Sequence, residues 1–494
     1  MQCRRAWQAA EAENAHQKCR HIPSLHNHHF YKLLIYSDIN RKCVALFSTK
    51  LTNVFINRKV FRKFVFINDR FYKPLIMKFL NKMCVALSVA VCAAFGVVSC
   101  GPAKVAGPQV LFQTPVTDSI PYRIPTISAM HNGDILALAD YRLCDNDIGY
   151  GRVDIHGRVS RNGGRSWGDE FVLIEGSGVS KATDCGFGDA AMVADRESGE
   201  VLVMMVCGET VYWHETTTRQ NPNRIAVLRS SDNGKTWSQW EEITESVYTL
   251  FDDSVHGCVQ SCFVGSGKIL QSRQIKVGSH YRIYAALCAR PNGNRVIYSD
   301  DFGRTWKALG GPDALPVPNG DEPKCEELPD GRVVISSRAW GGRYFNIYTY
   351  SDVASGAGTW GKTAGSGKRV NGCASLENAC NGELLIIPAV RKEDGRKVSL
   401  ALQSVPLGPQ RANVGIYYKE LPEDISSITP ESFATDWEKP YQVSETTSAY
   451  STMLLLKNGN IAFYYEESIT LNGWGYDMVY KEIPLETITS GRYE

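Results

Sequence analysis

Tyr450 is the first residue of this sequence whose setting suggests chemistry. It stands between small residues in "ETTSAYST", directly before the apolar, strand-like run "MLLL". A tyrosine in that place can fill a core, or its phenol can act as a nucleophile once a neighbouring carboxylate accepts its proton. The second role requires the fold to bring carboxylates and cations to the same place, so the elements that position Tyr450 decide between the two.

Six short units that contain a glycine turn indicate how the chain is arranged. Residues 102–494 alternate apolar and polar residues over short runs, with little that reads as long amphipathic helix. Each turn precedes a predicted strand, and successive turn glycines are 66, 68, 64, 51 and 77 residues apart. The glycines are Gly133, Gly199, Gly267, Gly331, Gly382 and Gly459. This radial repetition predicts an all-β fold, a six-bladed β-propeller with four strands per blade.

A second motif recurs between these units. The stretches "SSDNGKTW" at 230–237 and "SDDFGRTW" at 299–306 fit Ser-x-Asp-x-Gly-x-Thr-Trp, "SRNGGRSW" at 160–167 nearly fits, and "SDVASGAGTW" at 351–360 is a stretched copy. In such a turn the Asp accepts backbone N–H bonds, the Gly supplies an unusual backbone conformation and the Trp packs beneath. Because each copy falls in a different blade, the motif predicts structural turns and not a catalytic site.

Equivalent positions of successive blades meet at one face of a propeller, around its axis. Counting back from the turn glycines, Arg123 and Asp189 each lie ten residues before theirs, and Tyr450 lies nine before its own. All three are therefore predicted near the start of the first strand of a blade, pointing at one rim of the central channel. Glu327, four residues before Gly331, is predicted deeper along the same kind of strand.

Charge and cysteine content exclude several kinds of site. The whole chain is formally +2, but residues 102–494 alone sum to −10, which argues against nucleic acid as a partner. An anionic ligand of this part would need a local cluster of arginines. Nine cysteines follow Cys100 without a metal-ligand spacing, so no zinc site is expected, and Cys258 and Cys262 are not expected to pair.

The first hundred residues differ from the rest. Residues 1–76 carry 14 Lys and Arg against 4 Asp and Glu, without periodicity. The segment 77–100 starts at Met77, continues with two lysines and an apolar stretch, and ends in "VVSC" at Cys100. It has the features of a secretory signal peptide with a lipobox-like end; the alternative is an internal hydrophobic helix. We expect 1–76 to be an unstructured, mis-assigned upstream extension, and 101–494 to be exported as an outer-membrane lipoprotein, periplasmic or on the cell surface, tethered through Cys100.

The repeated Asp-containing turns and "YRIP" at 122–125 resemble the bacterial exo-α-sialidases (neuraminidases), glycoside hydrolases with a six-bladed propeller and Asp-box repeats. The resemblance covers essentially all of 102–494. It implies that sialylated glycans are the substrates, that a terminal α-ketosidic sialic acid is released with retention of configuration, and that neither a metal nor an organic cofactor is needed. A monomer is expected.

The resemblance assigns three arginines to the carboxylate of the sugar. They are Arg123 in "YRIP", Arg343 in "SSRAWGGRYFNIY" and Arg411 in "GPQRANVGIYY". The guanidinium fork suits a carboxylate better than a lysine does. Arg338, five residues before Arg343, is the alternative for the second position, and a surface salt bridge is the alternative role for any one of the three.

The resemblance also assigns Tyr450 in "SAYS" as the nucleophile and Glu327 in "CEELPDG" as its partner base, with Glu326 and Glu322 as alternatives. The anomeric carbon of a sialic acid itself carries a carboxylate, so an anionic nucleophile would be repelled by its target. A neutral phenol avoids this repulsion, and sialidases are a known exception to the usual pair of carboxylates.

An acid for the leaving alcohol is expected in the loop "YRLCDNDIGYGRVD". By the same resemblance Asp147 is the general acid and later the general base, with Asp145 and Asp154 as alternatives. We expect closure around substrate to raise its pKa. Arg142 and Asp189 match positions that contact hydroxyl and amide groups of the sugar; a structural ion pair is the alternative for both.

Two further segments are predicted to shape the molecule. The loop 211–224 presents Tyr212 and Trp213, and it either lines the aglycone side of the cleft or is simply a loop. The segment 110–116 is predicted to close the ring beside 476–485 in the last blade.

Three other functions compete with hydrolysis of sialosides. A non-catalytic sialic-acid-binding surface propeller could retain the arginines, but it has no need for a loop acid together with a Tyr–Glu pair. A trans-sialidase, or a hydrolase of a related 2-keto acid sugar, would share the whole set, so the sequence does not separate these two from a hydrolytic sialidase.

Overall fold

A computed structural model of the chain describes residues 107–115, 121–291, 293–377, 380–468 and 475–494. All of them fall within one unit, Lys104–Glu494. The expectations for residues 1–76 and for the signal peptide at 77–100 concern residues outside these ranges. Among the described residues, no helix has both the length and the apolar character needed to span a bilayer.

The described chain is built almost entirely of short strands, which the alternating apolar and β-branched runs favour. The strands are β1 (Gln109–Phe112), β2 (Tyr122–Ala129), β3 (Ile135–Tyr141), β4 (Asp154–Ser160), β5 (Phe171–Ile174), β6 (Phe187–Ala194), β7 (Val201–Cys207), β8 (Arg224–Ser230), β9 (Glu241–Glu242), β10 (Ser261–Val264), β11 (Gly267–Lys268), β12 (Leu270–Val277), β13 (His280–Arg290), β14 (Gly293–Ser299), β15 (Lys307–Ala308), β16 (Pro323–Glu327), β17 (Val333–Ala339), β18 (Gly342–Asp352), β19 (Ala357–Trp360), β20 (Ala364–Gly367), β21 (Leu384–Val390), β22 (Lys397–Pro406), β23 (Val414–Glu420), β24 (Tyr441–Gln442), β25 (Ser448–Leu455), β26 (Ile461–Glu467) and β27 (Asp477–Ile483). The α-helices are α1 (Thr244–Tyr248), α2 (Pro430–Ala434) and α3 (Leu485–Ile488), and short 3-10 turns lie at Thr249–Phe251, Lys368–Val370 and Ile425–Ser427.

These strands form six sheets that follow one another along the chain, and the predicted six-bladed β-propeller is confirmed. Blade 1 contains β2–β5, blade 2 β6–β9, blade 3 β10 and β12–β15, blade 4 β16–β20, blade 5 β21–β24, and blade 6 β25–β27 with β1. The core lies between neighbouring blades. Leu202 and Met204 of blade 2, for example, share one apolar cluster with Ile283 and Leu287 of blade 3.

In four blades the hairpin between the first and second strands turns where the glycine repeat predicts. These hairpins join β2 to β3, β6 to β7, β16 to β17 and β25 to β26. They contain Gly133, Gly199, Gly331 and Gly459. The chain residues that precede and follow these glycines are therefore in equivalent places in blades 1, 2, 4 and 6.

In blades 3 and 5 the glycine prediction was wrong. Gly267 lies in β11, which pairs in parallel with β6, and the hairpin from β12 to β13 turns at Gly278 instead. Gly382 precedes β21, and the hairpin from β21 to β22 turns at Gly395. A glycine in a short polar turn marks any tight turn, so the motif alone does not identify which two strands it joins.

The Asp-containing turns link the third strand of a blade to its fourth. At 230–237, Asp232 Oδ1 accepts the N–H groups of Lys235 and Thr236, and the Thr236 hydroxyl donates to Asp232 Oδ2 at 2.7 Å. Ser230 Oγ accepts the N–H of Gly234. The turn at 299–306 has the same bonds. These side chains satisfy their own turn, which supports the predicted structural role.

The N-terminal strand closes the ring. β1 pairs antiparallel with β27, with Gln109 opposite Tyr480 and Val110 opposite Val479. Leu111 and Phe112 are buried in the cluster below. The predicted pairing of this segment with the last blade is confirmed for residues 109–112.

Candidate active site

A cavity of about 350 Å³ opens at the face of the propeller where the first strands begin. Six of the eight residues predicted for the site line it: Arg123, Arg142, Asp147, Asp189, Arg411 and Tyr450. Glu327 and Arg343 do not, and Glu322 and Arg338 line the cavity in their place. In the described parts of the chain, no group of three or more His, Cys, Asp or Glu side chains is arranged to hold a metal ion.

The same backbone irregularity brings three first strands to this cavity. β2, β6 and β25 each contain one more residue than the second strand beside them, at 123–126, 188–191 and 448–451. Such a bulge turns a side chain away from the regular alternation of the strand. Ile124 and Asp189 adopt positive φ angles of 60° and 52° as part of it, a conformation that costs energy for a residue with a side chain.

A buried carboxylate, Glu466 at the end of β26, holds two of these bulges. Its Oε1 accepts the N–H of Ile124 at 2.8 Å and Nε of Arg123 at 2.8 Å. Its Oε2 accepts the N–H of Tyr450 at 3.1 Å. Burial opposes the charge of Arg123, but Glu466 outweighs it and raises the pKa of the Arg123 guanidinium. Glu466 therefore fixes both a cation and the tyrosine of the site.

Tyr450 is buried and hydrogen-bonded to two groups of blade 4. Its hydroxyl donates to Glu322 Oε1 at 2.7 Å and accepts from Arg338 Nη1 at 3.3 Å. Arg338 Nη1 also lies 3.0 Å from Glu322 Oε2. Burial and the negative charge of Glu322 raise the pKa of the Tyr450 phenol well above its ordinary value, against the effect of Arg338. The phenol is neutral, with a carboxylate in place to take its proton.

The carboxylate predicted to partner Tyr450, Glu327, lies elsewhere. It is the last residue of β16, and its carboxylate is fully buried against β12, where it accepts the Ser272 hydroxyl and the N–H of Arg273. Burial raises the pKa of Glu327. Glu322 takes the predicted role because it immediately precedes β16, at the rim, whereas Glu327 is five residues further along the strand.

Arg343 is likewise replaced, by Arg338. The two are directly opposite each other in the β17–β18 hairpin, but the Arg343 side chain is buried and donates to Ser336 Oγ, the Ser336 carbonyl and the Cys380 carbonyl. Burial lowers the pKa of Arg343 to about 10. Its guanidinium is occupied by the backbone and does not reach the cavity.

Arg123 and Arg411 complete a cluster of cations with Arg338 around the tyrosine. Their guanidinium carbons each lie 5.6 Å from the centre of the Tyr450 ring. Arg411 Nε is buried and has no hydrogen-bond partner among the described residues. A buried charged donor without a partner is costly, and an anionic ligand in the cavity would satisfy it.

Arg142 connects the acidic residues on the other side of the cavity. Its guanidinium lies 2.9 Å from Asp147 Oδ1, 3.3 Å from Asp140 Oδ2 and 3.6 Å from Asp189 Oδ1. Burial and the negative charge of Asp140 raise the pKa of Asp189 well above its ordinary value. For Asp147 partial burial acts in the same direction, but Arg142 and the N–H of Ile148 outweigh it and lower the pKa. The Asp147 side chain is 59% exposed and faces the cavity.

Blades 2 and 3 supply an apolar end to the cavity. Val206 and Phe263 line it together with Ile148 and Tyr212 of the adjoining loops, and the rings of Tyr212 and Phe263 pack edge to face with centroids 4.7 Å apart. Trp213 also lines the cavity and is 62% exposed. The prediction that loop 211–224 reaches the cleft is therefore confirmed, although what it binds stays open.

Three residues of the site were not foreseen: Asp140, Glu466 and Asn223. Asp140 and Glu466 each lie seven residues after the hairpin glycine of their blade, and Arg338 lies seven after Gly331. The repeat thus contained a signal for these second-strand positions. Asn223, in the loop before β8, has no counterpart in the repeat.

Comparison with known proteins agrees with this architecture. A family model described as a BNR repeat-like domain matches residues 146–463. A sialidase of Micromonospora viridifaciens is 34% identical over 224 residues, which are 44% of this chain and 32% of that protein. A sialidase of Clostridium perfringens is 24% identical over 376 residues, 73% of this chain and 90% of that protein. The chain thus spans about a third of one relative and most of the other.

Solved structures show the same fold. A Hadza microbial sialidase matches with a TM-score of 0.59 and 21% identity, covering 77% of this chain and 69% of that one. The intramolecular trans-sialidase from Ruminococcus gnavus, in complex with oseltamivir carboxylate, matches with a TM-score of 0.57 and 17% identity, covering 78% and 99%.

Proposed function

This chain belongs to the BNR repeat-like domain family, and from this premise we propose that it is an exo-sialidase that releases terminal sialic acids with retention of anomeric configuration. One observation carries the proposal. The neutral phenol of Tyr450 is hydrogen-bonded to Glu322 in a cavity where Arg123, Arg338 and Arg411 surround it. The relatives named above, which are sialidases, support the substrate class.

The three arginines bind the carboxylate on the anomeric carbon. Arg338 and Arg123 are held by Glu322 and Glu466, so their orientation is set before substrate arrives. Arg411 has a buried donor to spare. Binding the carboxylate beside the ring of Tyr450 places the anomeric carbon next to its hydroxyl, and such positioning supplies a large part of the rate enhancement of enzymes.

In the first half-reaction the Tyr450 oxygen attacks the anomeric carbon. Its proton passes to Glu322, the bond from the anomeric carbon to the glycosidic oxygen breaks, and protonated Asp147 gives its proton to that oxygen. The products of this step are the free alcohol and a sialyl group on Tyr450, with Glu322 protonated and Asp147 ionised.

In the second half-reaction Asp147 takes a proton from water. The water oxygen attacks the anomeric carbon, the bond to the Tyr450 oxygen breaks, and Glu322 returns its proton to the phenol. Two inversions at one carbon give net retention. Glu322, Tyr450 and Asp147 end in the protonation states in which they began.

Fluorophore release from an α-ketosidic aryl sialoside tests the proposal. Tyr450→Phe should lose roughly 10³-fold or more in kcat, because the variant has no oxygen to attack the sugar. Tyr464→Phe is the matched control: this tyrosine is buried in the neighbouring strand, and its hydroxyl has no hydrogen-bond partner in the described residues. Its activity should stay near that of the wild type.

A folded wild type that binds sialic acid without releasing the fluorophore would overturn the proposal in favour of a binding propeller. Retained activity in Tyr450→Phe would leave the hydrolase but remove the assigned nucleophile.

A further inference from the structure

An unsatisfied amide lies at the apolar end of the cavity. Asn223 is only 2% exposed and lines the cavity, and its Oδ1 is buried without a hydrogen-bond partner among the described residues. Its backbone is held in place, because the Tyr248 hydroxyl donates to the Asn223 carbonyl at 2.7 Å. A buried amide oxygen without a partner is unfavourable, and a ligand that fills the cavity is the partner this position lacks.

Asn223 belongs to the apolar end and not to the arginine side. The next residue, Arg224, pairs with Cys207 at the end of β7, beside Val206 of the cavity wall. Tyr248, which holds the Asn223 carbonyl, also accepts the N–H of Cys262, the neighbour of Phe263. The carboxylate-binding arginines lie around Tyr450 in blades 1, 4, 5 and 6.

The chemistry of the sugar determines what reaches this end. With the carboxylate-bearing carbon C2 beside Tyr450, the ring carbon directly across the pyranose is C5. In most sialic acids C5 carries an acylamido group, which has a polar amide and an apolar acyl carbon. A wall of Val206, Phe263 and Ile148 with one amide in it matches both parts.

We infer that Asn223 hydrogen-bonds the acylamido group on C5 and thereby makes the enzyme selective for N-acylated sialic acids over the 5-hydroxy sugar. The inference rests on the function proposed above. The Asn223 oxygen accepts the N–H of the acylamido group, and the 5-hydroxy sugar, which has no acyl extension, leaves the far end of the cavity unfilled. Sites that hydrogen-bond a substrate group discriminate against analogues that lack it.

Three aryl α-ketosides separate this role from a structural one: the N-acetyl, the N-glycolyl and the 5-hydroxy sugar. Asn223→Leu keeps the volume but removes the amide. It should lower kcat/KM about 10-fold for both acylated substrates, the effect of about one lost hydrogen bond, and leave the 5-hydroxy substrate within about 2-fold. Asn223→Ala is the second variant, and it should give the same change in selectivity should the leucine variant fail to fold.

Two results would overturn the inference. One is an equal fall for all three substrates, which assigns Asn223 to the framework of the cavity. The other is unchanged kcat/KM for the acylated pair. A wild type that releases no aryl group from any of the three would instead overturn the proposed function, and this inference with it; activity on any one substrate keeps the two questions apart.

Discussion

A buried tyrosine hydrogen-bonded to a carboxylate is a nucleophile only at the moment of attack. Burial and Glu322 keep the phenol of Tyr450 protonated in the free protein. This neutrality suits a target carbon that carries its own negative carboxylate, since a phenolate formed in advance would be repelled. Arg338 contacts both the Tyr450 hydroxyl and Glu322, so it can stabilise the oxygen as charge develops on it.

The two glutamates of blade 4 give a matched pair of variants. Glu322→Gln should lower kcat about 10²-fold or more, because the amide cannot accept the Tyr450 proton. Glu327→Gln should leave kcat within about 3-fold, because this carboxylate lies against Ser272 and Arg273, but should lower the free energy of unfolding by about 1–3 kcal/mol. Steady-state kinetics and thermal denaturation of both proteins check this. The reverse pattern would restore Glu327 as the base.

The pH dependence should report Asp147. Arg142 holds its pKa below the ordinary value against the effect of burial, so the protonated acid is scarce in the free enzyme at neutral pH. For sialyl-lactose, kcat/KM should therefore fall as pH rises through this pKa, and the fall should be weaker for an aryl sialoside, whose leaving group needs little protonation. The measurement is kcat/KM against pH for both substrates.

Arg142→Met extends that test. Removing the cation disfavours the ionised carboxylate and raises the pKa of Asp147, so the alkaline limb should move to higher pH even though overall activity drops. A limb that stays in place would show that another group limits the rate.

At the level of elements, the site consists of paired positions at the rim of the blades. Glu322 faces Arg338 across one hairpin, since the Arg338 N–H donates to the Glu322 carbonyl, and Arg123 pairs with Asp140 across another. The bulges in β2, β6 and β25 then rotate the first-strand residue toward the axis. The rim pair supplies the chemical groups, and the bulge supplies their direction.

Glu466→Gln tests the bulge. The amide presents N–H donors to Arg123, Ile124 and Tyr450, all of which donate to the carboxylate now. We expect kcat/KM to fall at least 10-fold and the free energy of unfolding to drop by about 3 kcal/mol, as for a broken buried ion pair. Glu467→Gln, one position along the same strand with its side chain on the other face, is the control. Equal effects of the two variants would contradict the role of Glu466.

The sequence predicts much of this geometry, and its errors have a physical cause. Glu322 lies nine residues before Gly331, the same spacing that relates Tyr450 to Gly459. Position in the blade therefore selects Glu322, whereas a glutamate in a family-like motif suggested Glu327. Gly395 likewise restores a spacing of 64 residues on both sides, from Gly331 and to Gly459. Asn223 could not be predicted, because it lies in a loop whose path depends on tertiary contacts.

At the scale of the whole molecule, the ring depends on β1. Truncation to residues 117–494 removes this strand and exposes the edge of β27, whereas truncation to 102–494 retains it. The shorter chain should lose about 3–6 kcal/mol of stability, from the burial of Leu111 and Phe112 alone. Urea denaturation of the two proteins measures the difference. Equal midpoints would show that the blade holds without its fourth strand.

This closure also sets the order in which the molecule can be completed. Gln109 and its partner Tyr480 are 371 residues apart, so a chain made from its N-terminus presents β1 long before β27 exists. Joining such distant ends is entropically unfavourable, and topologies of this kind fold slowly. Until the last blade is made, Leu111 and Phe112 stay uncovered, and β1 is an open edge to which a second nascent copy can attach. The seam that makes the finished propeller rigid is thus also the point at which folding and aggregation compete.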